Sequence, residues 1–159
     1  MEHKVYKHSL EHAIANDEVA LYRDSDKRNE TCARGIEKAI QESNHPLRQY
    51  NYDLHTASRK VLAEYGTERV AWVLSATLQR ASHDGRFSDD NKNWAHTISN
   101  LFLPHYHNIS SLNIDMSFPQ YSVGTHPAVL DGFVGVTRKI IAEQEHVGSR
   151  EKRVDRSDR

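Results

Sequence analysis

The sequence predicts a mainly α protein, a compact bundle of five or six helices with one irregular insertion. Three observations favour this fold class. Apolar residues recur at helical spacing in several segments, capping residues stand at the ends of those segments, and one late stretch lacks a helical pattern. The chain of 159 residues is long enough for one domain with a hydrophobic core, and we predict that domain over residues 1–146.

Two helices are predicted in the first part of the chain. A short one covers VYKHSLEHAIA, residues 5–15, and a longer one covers residues 17–43. Nine polar residues, RDSDKRNET at 23–31, occupy the middle of the longer segment, and no proline interrupts them. One continuous helix with a solvated middle is therefore favoured over two helices. Its apolar positions are Val19, Tyr22, Ala33, Ile36 and Ile40.

The next two helices meet at a glycine. Asp53 is a natural N-cap, and Gly66 suits the end of that helix because glycine tolerates a positive φ. Thr67 is then predicted as the N-cap of the following helix, residues 68–81. Apolar residues fall on two sides of this helix, which indicates a central and largely buried position.

The last two helices have clear starts. Ser88 followed by two aspartates predicts a helix over residues 89–101. Pro127, with His126 or Thr125 before it, predicts the start of the final helix. That helix carries the strongest apolar stripe in the chain: Leu130, Phe133, Val134, Thr137, Ile140 and Ile141.

Two segments differ from these helices. In the insertion, LNIDMSF at 112–118 alternates and could pair with QYSVG at 120–124 as a short β-hairpin, although prolines interrupt the region. The last residues, 147–159, contain five cations, three anions and two valines, and such a composition predicts a disordered tail.

Charge and cysteine content narrow the function classes. The net charge is −1 with neutral histidines, so the protein has no overall electrostatic attraction to nucleic acid or to an anionic membrane. The single cysteine, Cys32, cannot form an internal disulfide, which favours a reducing compartment. No apolar run approaches the ~20 residues of a membrane span. We therefore expect a cytoplasmic protein without a membrane partner.

The most distinctive stretch is HDGRFSDDNKNWA, residues 83–95. In a functional interpretation this stretch forms the wall of a pocket. Its histidine and acidic side chains would surround a metal ion or a reacting group, and its arginine would bind an anion. The residues of this candidate cluster are His83, Asp84, Arg86, Asp89, Asn91 and Trp94.

A structural interpretation of the same stretch is favoured. Asp84 and the following glycine form a turn, and Arg86 bridges helix ends through carboxylates. Ser88 caps the next helix, and Phe87 and Trp94 flank its start as a hydrophobic staple. Each residue then has a structural role, and no catalytic residue is assigned.

Metal and nucleophile chemistry are alternatives with less support. His105 and His107, together with His126, could hold zinc, but a zinc site needs three or four ligands, and no carboxylate or cysteine lies at ligand spacing nearby. Exposed loop histidines are therefore favoured. Cys32 lies on the apolar side of a helix, which favours a buried thiol over a nucleophile. We expect neither a metal nor a cofactor.

The first candidate surface for a partner is one face of the second helix. Its cations alternate with five acidic residues, so a mixed-charge solvated face is favoured over a nucleic-acid-binding face. A protein partner with complementary charges would also fit such a face. The cations are Arg23, Lys27, Arg28 and Arg34.

The second candidate surface is the segment 102–125, which is long for a connection in a compact domain. Its aromatic residues are of the kind enriched at interface cores. A flap that folds back over the hydrophobic core is an equally supported alternative. The aromatic residues concerned are Phe102, Tyr106, Phe118 and Tyr121.

A stretch that includes residues 83–95 resembles a known family. VLAEYGTERVAWVLSATLQRASHDGRFSDDNKNWAHTI, residues 61–98, is similar to the centre of an uncharacterised domain family of phages and integrative elements of gut Firmicutes. The most specific part is DGRFS followed by Asn91, Trp94 and Ala95. No biochemical activity is known for this family. The resemblance therefore implies a setting, mobile DNA in a bacterial host, and no catalytic residue.

Small single-domain proteins in that setting often inhibit host defence, anti-CRISPR proteins among them. The resemblance therefore implies a non-enzymatic accessory protein that binds and inhibits a host defence protein, such as a nuclease. The alternatives are a nucleic-acid-binding module of a mobile element and a metal-dependent enzyme. The partner and the oligomeric state are left open by the sequence.

Overall fold

The computed structural model describes residues 4–44, 47, 51–81, 83–102 and 121–157. Within this part of the chain the regular elements are α-helices, and they pack together without a β-sheet. The prediction of a mainly α fold is confirmed. The helices are α1 (Leu10–Ala15), α2 (Val19–Glu42), α3 (Leu54–Tyr65), α4 (Thr67–Arg80), α5 (Asp89–Phe102) and α6 (Pro127–Ser157).

Helix α1 is shorter than the predicted segment. It begins at Leu10 because the Ser9 hydroxyl accepts a hydrogen bond from the His12 backbone N–H at 3.0 Å. Helix α2 is continuous, as predicted. The prediction of a solvated middle is wrong in part, because Ser25 and Asn29 are buried there.

The junction between α3 and α4 confirms one capping prediction and corrects another. The Asp53 carboxylate accepts the Thr56 backbone N–H at 3.1 Å, so Asp53 caps α3. Gly66 has a φ of 87° and ends α3. Thr67 is not the N-cap of α4, because the helix already includes it and Gly66 takes the cap position without a side-chain hydrogen bond.

Helix α4 occupies the centre of the bundle, as its apolar pattern predicts. It contacts α2, α3, α5 and α6. Trp72 and Leu74 lie on different sides of α4 and are both almost completely inaccessible to solvent. Residues on every side of a central helix meet apolar neighbours, which explains the two-sided pattern.

Helices α5 and α6 begin where the sequence predicts. The Ser88 hydroxyl accepts the Asn91 N–H at 3.2 Å, and His126 Nδ1 accepts the Ala128 N–H at 3.2 Å. All six residues of the predicted α6 stripe are buried. The charged segment after residue 146, expected to lack regular structure, continues α6 as far as Ser157.

The predicted hairpin lies mostly outside the described residues. Residues 121–124 are described, and they have no regular secondary structure and no strand pairing to the other described residues. Among the helices of the described part, no helix is long and apolar enough to cross a membrane.

Candidate functional site

The turn before α5 is closed by an ion pair between neighbours in sequence. Asp84 Oδ1 accepts the Arg86 backbone N–H at 3.0 Å, and its carboxylate accepts Arg86 Nε and Nη2 at 2.7 to 3.2 Å. Hydrogen bonds from Arg86 lower the pKa of Asp84 to about 2. The prediction that Arg86 bridges helix ends is wrong, because its partner lies in the same turn.

Asn91 connects the distinctive stretch to α6 by hydrogen bonds. Its side-chain amide donates to the Asp131 backbone carbonyl at 2.9 Å and to Asp131 Oδ1 at 2.8 Å. Its carbonyl oxygen accepts from Arg138 Nε at 2.9 Å, while Asp131 Oδ1 also accepts the Ser88 N–H at 2.9 Å. Asn91 is buried, so this network fastens the start of α5 to α6.

The other members of the predicted cluster do not converge on one point. His83 and Asp89 are exposed, and Trp94 is half-buried against the hydrophobic core that contains Phe87. Trp94 is the sixth residue of α5, whereas a hydrophobic staple uses the fourth, so the predicted staple is wrong. Among the described residues, no three His, Cys, Asp or Glu side chains are grouped so that they could hold a metal ion.

A groove of about 600 Å³ runs beside this turn. Its lining includes His83, Asp84 and Arg86 from the turn and Tyr121 and Thr125 from the segment before α6. Its lining combines apolar and polar groups, and the buried Thr125 hydroxyl has no hydrogen-bond partner. In this groove the distinctive stretch meets the segment after the insertion.

Tyr121 is held in a buried polar network on α2. Its hydroxyl donates to Asp26 Oδ1 at 2.7 Å and accepts from Asn29 Nδ2 at 2.9 Å. Its backbone carbonyl accepts the Thr77 hydroxyl at 2.9 Å. Burial raises the pKa of the Tyr121 hydroxyl above its ordinary value. With 5% of its surface exposed, Tyr121 covers the core, as the flap alternative for this residue predicts, and does not offer an open interface.

Arg69 completes that network from α4. Arg69 Nη1 donates to the Ser25 backbone carbonyl at 3.1 Å and to Asn29 Oδ1, and the residue is 5% exposed. Burial lowers the pKa of its guanidinium. This network was not among the sites predicted from the sequence. A signal was present, because Ser25 and Asn29 continue the spacing of Cys32 and Ile36 along the buried side of α2.

The outward side of α2 has a different character. Arg28 is bound to Asp24, with Arg28 Nε and Asp24 Oδ2 2.9 Å apart, and Arg34 is bound to Glu37. Arg23 and Lys27 are exposed, and neither forms an ion pair with a residue in the described ranges. Of the two arginines predicted to bind a partner, Arg23 is therefore available and Arg28 is engaged within its own helix.

Of the remaining candidate residues, Cys32 and His126 are described with their side chains. Cys32 is buried, and burial raises the pKa of its thiol to about 12, so the thiolate needed of a nucleophile is disfavoured. His126 uses Nδ1 at the start of α6. The described residues do not include His105, His107, Tyr106 and Phe118, and Phe102 is described in its backbone alone.

These observations define a helical domain with a buried polar network at Arg69, a partly buried polar network at Asn91 and exposed cations on α2. Residues 5–142 match the family described as protein of unknown function DUF3849. The match spans most of the chain, and the chain belongs to this family. The expectation of an uncharacterised domain family is confirmed. Neither a curated protein nor a solved structure matches the chain significantly.

Proposed function

We propose that this protein is a non-enzymatic accessory protein of a mobile genetic element that binds a host defence protein and inhibits it. The cytoplasm is the proposed site of action, because DNA-directed defence proteins act there. The setting rests on the sequence resemblance to domains of phages and integrative elements.

The pair Arg23 and Lys27 carries this proposal. Both cations are exposed on α2, and neither has an ionic partner among the described residues. Neighbouring cations of the same helix, such as Arg28 and Arg34, are engaged in ion pairs. Charges that are left open on a surface steer association and select a partner of opposite sign.

Two polar side chains of the stretch 83–95, Asp84 and Asn91, support a structural role for it over a catalytic one. Asn91 is committed to Asp131 and Arg138, and Asp84 is committed to Arg86. A side chain that holds helices together cannot change partners during a reaction without loosening the fold. The stretch is therefore proposed to support the surface of the domain.

A nucleic-acid-binding module remains the rival hypothesis, since Arg23 and Lys27 also suit phosphate groups. Two observations favour a protein partner. Asp24 and Glu30 lie close in sequence to the two cations on the same helix, and Glu30 is exposed. The net charge of −1 adds no long-range attraction to DNA.

A plasmid-establishment assay tests the proposal. The chain would be expressed in a panel of bacterial strains that each carry one defence system, including a CRISPR nuclease, and each strain would receive a targeted plasmid. We expect wild-type protein to raise plasmid establishment at least tenfold in one or more strains. The variant carrying Arg23→Glu and Lys27→Glu should lose this effect.

The matched control carries Arg59→Glu and Lys139→Glu. These cations are exposed on α3 and α6, so the control has the same change in net charge on helices other than α2. It should protect the plasmid as well as the wild type does. Equal plasmid loss with and without wild-type protein in every strain would contradict the proposed function.

A further inference from the structure

The outward side of α2 carries four cations in a row. Arg23, Lys27, Arg34 and Lys38 are all exposed, and steps of four, seven and four residues separate them. Such steps return to nearly the same side of an α-helix. Because the helix rises about 1.5 Å per residue, the row extends over about 22 Å.

The two halves of this cationic row differ in their ionic contacts. Arg34 Nη1 lies 3.0 Å from Glu37 Oε1, and Lys38 Nζ lies 3.9 Å from Glu42 Oε1. The side chains of Arg34 and Lys38 are nevertheless 71% and 77% exposed. Arg34 and Lys38 can therefore contact a partner while their ion pairs within α2 persist. The charges of Arg23 and Lys27 are not neutralised by an ion pair with another described residue.

Acidic residues border the row on both sides. Helical periodicity places Asp24 and Glu42 at one edge of the row and Glu30 at the other. The positive strip is thus narrow. A nucleic-acid duplex carries phosphates across its whole width and would also meet these carboxylates. An α-helix of a partner carries its side chains in lines along its axis and can therefore place its own carboxylates on the cations between these acidic residues.

We propose that the cationic row binds an acidic α-helix of a partner protein. The partner helix would lie nearly parallel or antiparallel to α2 and carry carboxylates at positions i, i+4, i+11 and i+15. Two helices with the same rise per residue keep such rows in register when they cross at a small angle. This inference rests on the proposed function and names the chemistry of the partner surface.

Apolar contacts are needed beside the charges, because exposed ion pairs stabilise a complex little. Leu21 is 59% exposed, but a step of two residues places it on another side of α2 from Arg23, so it does not belong to the row. The apolar surface beside the charges is instead the alkyl stems of the four cations, which a partner helix can cover while the charged ends bind its carboxylates.

Binding to designed peptides tests the inference directly. The probe is a labelled alanine-based helical peptide of about 20 residues with glutamates at the four matching positions and one leucine near its end. A second peptide has the same composition with the glutamates moved around the helix. Fluorescence anisotropy should show at least tenfold tighter binding of the matched peptide to the wild-type chain.

Two variants and one further probe complete the test. Arg23→Glu with Lys27→Glu should weaken matched-peptide binding at least tenfold, and Arg59→Glu with Lys139→Glu should leave it within twofold. Equal binding of the matched and rearranged peptides would overturn the inference. Tighter binding of a 20-base-pair DNA duplex than of the matched peptide would also overturn it, in favour of a nucleic-acid surface.

The plasmid assay separates failure of this inference from failure of the proposed function. If the wild-type chain protects the plasmid but the matched peptide does not bind selectively, the inference fails and the proposed function stands. If the peptide binds as expected but no strain is protected, the proposed function fails and the cationic row still has its assigned partner chemistry.

Discussion

The nine polar residues 23–31 show two kinds of surface on one helix. On the inner side, Ser25 and Asn29 are buried and hydrogen-bonded within the network of Arg69 and Tyr121. On the outer side, Arg23 and Lys27 are exposed to solvent. Polar residues that are neighbours in sequence therefore contribute differently to the free energy of unfolding.

Burial is the physical reason for this difference. A buried polar group that loses its partner must bear its full desolvation cost, whereas an exposed group exchanges its partner for water. The inner side of α2 should consequently control stability, and the outer side should control binding with little effect on stability.

Arg69→Ala should give the largest loss of stability. The change removes a buried guanidinium, leaves Asn29 Oδ1 without this donor and removes one of the hydrogen bonds to the Ser25 backbone carbonyl. We expect the free energy of unfolding to fall by about 3 kcal/mol, measured by urea denaturation. Arg59→Ala, at an exposed position on α3, is the control and should change it little. Equal values for both variants would remove the distinction between buried and exposed polar groups.

Asn91→Ala should have the next largest effect. It breaks the amide contacts with Asp131 and leaves Arg138 Nε without this acceptor. The expected loss is about 2 kcal/mol in the free energy of unfolding. Asn93→Ala, on the exposed side of the same helix, serves as its control. A stable Asn91→Ala protein that fails in the plasmid assay would instead indicate a functional role for the stretch 83–95.

Tyr121→Phe tests a single hydroxyl in the inner network. The variant retains the ring but leaves Asp26 and Asn29 without the hydroxyl between them. Thermal and urea unfolding should show a loss of about 1 kcal/mol. Peptide binding to the cationic row should be unchanged. An unaltered stability would mean that water replaces the hydroxyl and that this part of the network is effectively exposed.

The ion pair of Asp84 and Arg86 tests how an exposed interaction depends on pH. Arg86 lowers the Asp84 pKa from 3.8 to about 2 in the folded protein. A lowered pKa means that the Asp84 carboxylate stabilises the fold above pH of about 4, and that this contribution is lost as the pH falls toward 2. Carbon-13 NMR should find the Asp84 midpoint near 2 in the wild type and closer to its ordinary value in Arg86→Gln. The same midpoint in both proteins would assign the shift to another cause.

The smallest change in stability is expected for Arg23→Glu combined with Lys27→Glu. Neither residue forms an ion pair with another described residue, so the free energy of unfolding should remain within about 0.5 kcal/mol of the wild type. Calorimetry and urea denaturation provide the measurement. A loss of several kcal/mol would show that the outer side of α2 also supports the fold and would make its binding variants unsuitable.

The helices themselves follow from local patterns. The stripe on α6, the cap at Asp53 and the positive φ of Gly66 were all predictable, because each depends on residues within one or two turns. The choice between Gly66 and Thr67 as the start of α4 was not, since several neighbouring residues can serve as a cap.

The mainly helical domain, the central position of α4 and the distinctive stretch 83–95 can all be predicted from the order of residues. Which polar residues are buried depends on how the helices pack, because the partners of these residues are remote in sequence. Asn29 meets Tyr121 across 92 positions, and Asn91 meets Asp131 across 40. Helical periodicity indicates which side of a helix a residue occupies, but a hydrogen bond between helices also requires their packing. The cationic row became distinct for the same reason, once burial had removed Ser25 and Asn29 from the exposed surface of α2.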